Sequence, residues 1–299
     1  MRIAITGSSG LIGSALVDHL RVGGHEVLRV VRSDATDDDE IAWSPAEASI
    51  DAGAFEAIDA VVHLAGAGIA DKRWTADRKQ VILESRTKAT DLLARTLAGL
   101  EAPPRVLLSA SAIGIYGDRG SEPVTEDDPP GSGFLADVCV AWEAAADPAR
   151  EAGIRVVHPR TGLVLSAAGG ALAKQLPLFK IGAGGRLGSG EQFWSWISMV
   201  DELGALEFLL DADIDGPVNL TGPEPVTNGA FTDVLGDVLG RPTFLPVPTF
   251  GPKMLLGREL ADELLFTSAR VLPARLEAAG YRFETPTVEQ ALHRALDAA

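Results

Sequence analysis

Thr6-Gly7-Ser8-Ser9-Gly10-Leu11-Ile12-Gly13 is the stretch on which the reading of this chain turns. A short β-branched run, Arg2–Thr6, precedes it. After it, apolar residues recur at helical spacing from Leu11 to Val22, until Gly23-Gly24 stops them. Each glycine has a task. Gly7 permits a tight turn, Gly10 lets backbone approach a pyrophosphate, and Gly13 lets helix and strand pack closely. The first helical N–H groups are unpaired and sit at the positive end of the helix dipole. Gly7, Ser9, Gly10, Leu11 and Ile12 are therefore the expected contacts of a dinucleotide's phosphates. The glycine spacing alone is a weak signal, and the strand–loop–helix context makes it a strong one. A glycine turn with no ligand is the bland alternative.

Outward from the loop, strand and helix signals alternate. His25–Val31, Ala60–Leu64, Arg105–Ser109 and Ile154–Pro159 read as strands, the second by its continuous apolar character. Roughly Ala76–Leu100 and Phe134–Arg150 read as helices, and Thr36–Glu40 as a solvated acidic loop. Such alternation predicts an α/β fold with a Rossmann-type doubly wound parallel sheet, because parallel strands need crossover helices. Beyond about Leu165 the texture changes to a glycine-rich stretch (Gly182–Gly190), an aromatic cluster (Phe193, Trp194, Trp196) and Pro-rich turns. The division expected is a dinucleotide-binding domain over 1–165 and a smaller substrate lobe over 166–299. Segments near Trp196–Val200 and Pro217–Leu220 could return to the sheet. The glycine-rich stretch reads either as a mobile lid closed by tryptophans or, with those tryptophans, as plain core.

Nineteen residues after Gly13, at the end of the second strand, stands Arg32. An acid near this point holds the ribose 2′-hydroxyl of NAD, whereas a basic group accommodates a 2′-phosphate. Arginine's planar fork suits phosphate, and Asp34 and Asp37 come late for the ribose role. NADP is therefore expected over NAD, NADPH over NADH, with a solvated strand-end arginine as the alternative.

Composition narrows the partners. The 299 residues carry 26 Lys and Arg against 42 Asp and Glu, a formal charge of −16, which argues against nucleic acid or an anionic membrane. The single cysteine, Cys139, rules out an intramolecular disulfide and fits a reducing compartment. No apolar run approaches the roughly twenty residues needed to cross a bilayer, and no signal peptide is expected. Five scattered histidines and one cysteine offer no metal-ligand spacing. The expectation is a cytoplasmic protein with a small-molecule substrate.

TGSSGLIG (Thr6–Gly13), VVHLAGA (Val61–Ala67) and SASAIGIYG (Ser109–Gly117) resemble the extended short-chain dehydrogenase/reductases. The chain is similar, more narrowly, to an NAD-dependent epimerase-like branch of unassigned substrate. That pattern recurs at Ser85-Arg86, Phe134–Glu143, Gly184–Gln192, Ser195–Asp201 and Asn219–Asn228, so the resemblance spans nearly the whole chain. It implies an NADP-binding two-lobe enzyme that reduces, oxidises or epimerises a hydroxyl-bearing carbon, often in a nucleotide sugar. It also implies a homodimer through helices near 76–100 and 134–150. By the same resemblance Leu64, Ala65 and Gly66 line the adenine and ribose side, while Ser109 to Ala112 and Pro159 to Gly162, Thr161 among them, flank the nicotinamide.

The usual chemistry of that family is missing. It needs a Tyr-x-x-x-Lys pair on one helical face, the lysine lowering the tyrosine pKa, beside a Ser or Thr that orients the substrate oxygen. Alignment on Glu143 puts Leu135 and Cys139 at those two positions, and the Ser/Thr position, four residues before Tyr116, is Ala112. Ser111, one residue off, becomes a candidate if a bulge restores it, and otherwise caps strand-end backbone. Tyr116 is a second candidate or a buried tyrosine. Arg86 is expected among the cofactor contacts, facing the cleft and able to bind a phosphate or carboxylate bidentately, with a place on the helix surface as the alternative. Two functions follow: an NADP-dependent oxidoreductase or epimerase with an unusual proton donor, or a non-catalytic NADP-binding sensor.

Overall fold

The computed structural model describes residues 1–32 and 34–297. Its strands begin with β1 (Arg2–Thr6), β2 (Glu26–Val31), β3 (Glu40–Ser44), β4 (Ser49–Ile50), β5 (Ala60–His63), β6 (Val106–Ser109), β7 (Ser111–Ala112) and β8 (Pro123–Val124). They continue with β9 (Arg155–Thr161), β10 (Leu163–Leu165), β11 (Phe193–Trp194), β12 (Trp196–Ser198), β13 (Gly216–Leu220), β14 (Val226–Thr227) and β15 (Arg270–Val271). The helices are α1 (Leu11–Val22), α2 (Ala76–Ala98), α3 (Phe134–Ala144), α4 (Asp147–Glu151), α5 (Gly170–Lys180) and α6 (Met199–Asp211). After them come α7 (Asn228–Leu239), α8 (Phe250–Leu256), α9 (Arg258–Ala261), α10 (Ala274–Ala278) and α11 (Val288–Asp297).

The main sheet runs β13-β9-β6-β5-β1-β2-β3-β4, and all its neighbours are parallel except the short β3–β4 pair. The chain winds outward from β1 through β2 and β3, then returns to the other side of β1 with β5. The strand order therefore reverses between β1 and β5, where open sheets of this kind bind ligands. Alternate residues of the central strands feed two cores. Ile3, Ile5, Val62 and Leu108 pack against Leu16 and Leu20 of α1 and Leu206 and Leu209 of α6. Ala4, Val61 and Leu107 pack against Leu93 and Leu97 of α2 and Ala149 of α4. Burial on both faces explains why these strands read as unbroken apolar runs.

Helix α1 has the limits its sequence predicts. Gly13, Leu16, Val17 and Leu20 form its buried stripe, and the Gly24 N–H to Arg21 and His25 N–H to Leu20 hydrogen bonds close it with Gly24 in the left-handed region. Elsewhere the structure corrects the reading. Phe134–Arg150 is two helices rather than one, because Pro148 at the start of α4 disfavours a continuous helix through the preceding turn. The acidic loop expected over Thr36–Glu40 is present and largely exposed; what the reading lacked is β3, into which it leads, with Asp37 and Asp39 pairing with Arg29 on β2 at 3.0 Å each. Of the two segments considered for return to the sheet, Gly216–Leu220 does pair with β9, whereas Trp196–Ser198 pairs with β10 outside it.

Chain beyond residue 165 thus contributes α6, β13 and Leu276 of α10 to the main sheet's layers, and α5, α7 and α11 build a separate core. That core gathers Leu172 and Phe179 of α5, Phe231 and Leu235 of α7, Leu292 of α11, and both Trp194 and Trp196. The glycine-rich stretch is pinned to the lobe rather than loose: Gly188 N–H donates to the Val247 carbonyl at 3.0 Å and Val247 N–H to that of Arg186 at 2.8 Å.

A Cβ on Gly13 would lie 2.1 Å from the Gly7 carbonyl oxygen, so any side chain there pushes α1 off β1. Gly13→Ala is expected to destabilise the fold by about 3 kcal/mol, the cost of overpacking a tight contact. Gly10→Ala, whose Cβ would stand 3.2 Å from the same oxygen, should cost clearly less. Thermal unfolding of both variants checks the order.

Candidate functional site

Two loops meet at the reversal point. Gly7 adopts φ +68°, and a Cβ there would fall 2.8 Å from the Leu64 carbonyl carbon, so the glycine turn lies directly against the chain leaving β5. Thr6 fastens the contact. Its Oγ1 accepts from the N–H groups of Leu64 and Ala65, both at 3.2 Å, and a third bond joins it to His63 Nδ1 at 2.7 Å. With two donors already served, the threonine's own hydrogen goes to Nδ1, which leaves the histidine proton on Nε2. Nε2 donates to Thr90 Oγ1 at 2.9 Å, which also accepts from Trp142 Nε1 at 3.0 Å. Burial pushes His63 down to about 4, so this chain of bonds stays uncharged at neutral pH. It links β1, β5, α2 and α3 in one rigid unit.

The surfaces of Ser9, Gly10 and Gly66 are exposed and those of Leu11, Ile12, Leu64 and Ala65 partly so, along one edge of that unit. Arg32 follows β2 directly and is exposed, with no ion pair or hydrogen bond on its guanidinium among the described residues. The residues expected to hold pyrophosphate and 2′-phosphate are therefore open at the carboxyl ends of β1, β2 and β5.

Past this edge lies a cavity of about 280 Å³, walled by α3, the residues after β7 and β9, β11 and the turn 262–266. Ala112, Leu135 and Cys139 all line it. The three positions where the family's hydroxyl, tyrosine and lysine are looked for thus do converge, carrying a methyl, an isobutyl and a thiol. Burial pushes the Cys139 thiol up to about 11, with Glu143 adding to the rise, so it stays protonated at neutral pH.

The expected catalytic pair is turned elsewhere. Ser111 is buried and donates to Glu143 Oε1 at 2.6 Å, with no bulge to carry it to the cavity, whose wall is its neighbour Ala112. Tyr116 is 0% exposed; its hydroxyl donates to Asn219 Oδ1 at 2.7 Å and accepts from Arg160 Nη1 at 2.9 Å. Both belong to a buried network centred on the bidentate Arg160–Glu143 pair, at 2.8 and 2.9 Å. Burial works against each charge, but the pairing outweighs it, lowering Glu143 and raising Arg160. Ser109 and Pro159 are likewise buried, so neither opens a side chain to the cavity. Thr161 does line it.

Sequence reading missed two groups here. Glu263 accepts from the N–H groups of Phe134 and Leu135, both at 2.9 Å, and so caps α3 from the opposite lobe. No local sequence signal announces a cap drawn from 129 residues away. Glu202, on the first turn of α6, is 0% exposed and accepts from the Thr161 hydroxyl at 2.8 Å, and its Oε2 has no partner. A carboxylate placed among the apolar residues of SWISMVDELGAL is the signal that could have found it. Four polar side chains between Gln192 and Asp201 are structural. Ser198 caps α6, Asp201 accepts from the Glu284 and Thr285 backbone, Gln192 donates to the Leu187 and Leu265 carbonyls, and Ser195 anchors Ala269 and Val271. Among the described residues no cluster of metal ligands occurs, and no helix is long and apolar enough to cross a membrane.

Burial pushes Glu202 up to about 8 from 4.5, so the folded protein holds a proton there that the unfolded chain has lost. That contribution to stability is full below the unfolded value and fades as pH rises through the folded one. The melting temperature should fall from about pH 5 to about pH 9. Glu202→Gln, which keeps the acceptor for Thr161, should flatten the fall and stabilise the protein at the alkaline end. An identical slope in wild type and variant contradicts a neutral Glu202.

Comparison with known proteins agrees with this geometry. The model of the NAD dependent epimerase/dehydratase family matches residues 3–220, and a domain of unknown function (DUF1731) matches 247–295. An epimerase family protein of Mycobacterium bovis is 46% identical over 97% of this chain and 96% of its own. The crystal structure of human epimerase family protein SDR39U1 with NADPH superposes with a TM-score of 0.90 at 33% identity, covering 99% of both chains. A nucleoside-diphosphate sugar epimerase from Corynebacterium glutamicum superposes at 0.79 with 36% identity, over 99% of this chain and 58% of that one.

Proposed function

Because the chain belongs to the NAD dependent epimerase/dehydratase family, we propose that it is an NADP(H)-dependent oxidoreductase or epimerase acting on a small hydroxyl- or carbonyl-bearing substrate. The observation that carries this is the glycine turn locked against the chain after β5, with Arg32 exposed where an acid would select NAD. The NADPH in the human relative's structure supports the same choice.

The turn at Gly7 and Gly10 and the first N–H groups of α1 suit a pyrophosphate, because Gly7 holds the turn tight against the chain after β5 while Ser9 and Gly10 stay exposed at the start of the helix. Arg32 supplies a planar cation for the 2′-phosphate. When bound, NADP(H) supplies or accepts the hydride. The cavity beside it excludes water with Leu135, Val138 and Trp194. The proton source we assign is Thr161 with Glu202 behind it. Once the neutral carboxyl of Glu202 turns its own O–H to Thr161 Oγ, reversing the bond seen in this structure, Thr161 gives its proton to a substrate oxygen and takes the one from Glu202, which is left ionised.

A second reading has its own observation. Ala112, Leu135 and Cys139 converge on the cavity without a tyrosine or lysine, as a protein that senses NADP without turning it over would also have. Stereospecific loss of hydride from bound NADPH with small carbonyl compounds supports the enzyme, and tight binding without turnover supports the sensor.

Titration of nicotinamide fluorescence tests the cofactor. NADPH should bind at least about tenfold more tightly than NADH, and Arg32→Ala should erase that preference, as loss of a charge-assisted phosphate contact does. Equal affinities in the wild type contradict the assignment.

A further inference from the structure

Among the described residues the cavity wall holds two charged side chains, and neither is left for a substrate. Glu263 spends both oxygens on the Phe134 and Leu135 N–H groups, at 2.9 Å each. Arg86 belongs to the cofactor edge: its guanidinium lies against Gly66, where a Cβ would stand 3.3 Å away, and its Nη1 donates to the Ala67 carbonyl at 3.0 Å. The neutral polar groups are few and mostly engaged. Ser195 Oγ donates to the Ala269 carbonyl at 2.7 Å and accepts from the Val271 N–H at 2.8 Å. Thr267 donates to the Asp262 carbonyl at 3.1 Å, and Thr161 to Glu202 at 2.8 Å. Gln175 gives one amide hydrogen to the Ala171 carbonyl at 3.2 Å and keeps the other.

The rest of the wall is chiefly aliphatic and aromatic, with Ile113, Val138, Phe193 and Leu264 prominent. Such a chamber cannot offset the cost of taking an ion out of water, and it rewards a ligand that brings apolar surface. We propose that the substrate is an uncharged, largely apolar ketone or alcohol, its reacting oxygen at Thr161 and the rest of it held by packing. Its size follows from the space. A cavity of about 150 Å³ lined by apolar side chains takes up benzene, so about 280 Å³ suits a body of one to two rings. A nucleoside diphosphate sugar is a poor match. Its diphosphate needs cations or N–H donors still unspent, and its sugar needs more polar partners than Thr161 and Gln175. This rests on the reading of the cavity as the substrate site of an NADP(H)-dependent enzyme, with Arg86 left to the cofactor.

The probes are 4-phenylbutan-2-one, the same ketone carrying a ring carboxylate (4-(3-oxobutyl)benzoate) and UDP-glucose. Each is titrated calorimetrically with and without saturating NADP⁺, and NADPH affinity is measured separately in every variant. Wild type should bind the plain ketone at least about tenfold more tightly than the carboxylate, and UDP-glucose more weakly than the ketone. Ketone binding should carry the negative heat-capacity change of apolar burial. Ala171→Phe and Leu135→Trp, which fill the cavity from α5 and from α3, should each weaken the ketone at least about tenfold and leave NADPH affinity within about threefold. An intact melting transition shows which variants fold, and either one alone suffices. The proposal is overturned if wild type binds the carboxylate or UDP-glucose as well as the ketone, or binds no ketone while taking up NADPH. It is also overturned if a folded, filled variant keeps the ketone. Ketone preference in a protein that takes up no NADPH would contradict the cofactor reading and leave this one standing.

Discussion

Everything in this protein that concerns a ligand depends on how closely α1 starts against β1. The Gly7 carbonyl occupies the volume a side chain at 13 would need, and Gly7 itself presses on the backbone leaving β5. With both positions stripped to glycine, the first turn of α1 sits directly over the ends of the two strands between which the sheet order reverses. The unpaired N–H groups of that turn then have a fixed place and a fixed direction. Preorganisation of this kind matters more than any one hydrogen bond, because dipoles that need no rearrangement stabilise an anion most.

The same constraint reaches the cavity. Thr6 ends β1, clamps the chain after β5 with its Oγ1, and through His63 and Thr90 is joined to Trp142 on α3. Trp142 in turn is the ring on which Arg86 lies. A neutral histidine suits this task, since a charge at that depth would cost far more than the bonds return. The cofactor edge and the cavity wall are in this way two faces of one hydrogen-bonded block. Across the cavity, Glu263 ties the second lobe to the start of α3.

The glycine loop, the doubly wound sheet and most central elements were legible in the sequence because they rest on local rules: periodicity, glycine spacing and burial on both faces. The breaks came where distant residues decide. The acidic loop before Glu40 is as exposed as it reads, but β3 after it went unread, because its pairing with β2 is decided by a distant strand whose Arg29 holds Asp37 and Asp39. Tyr116 and Ser111 read as catalytic candidates by spacing from the family's motif, but the Arg160–Glu143 pair, formed by elements far apart in the chain, claims both hydroxyls. Leu135 and Cys139, placed by alignment where the family has its tyrosine and lysine, both line the cavity, as does Thr161, which is bonded to Glu202 behind it. Glu202 differs from Tyr116: an acid among the apolar residues of SWISMVDELGAL is a local sign, but only neighbours across the sheet decide that water is excluded from it.

A crystal structure with bound NADPH tests the central claim most directly. The pyrophosphate is expected against the N–H groups of Leu11 and Ile12, the 2′-phosphate at Arg32, and the nicotinamide at the mouth of the cavity beside Thr161. A cofactor bound elsewhere, or one whose 2′-phosphate and nicotinamide meet neither Arg32 nor that cavity, would contradict it.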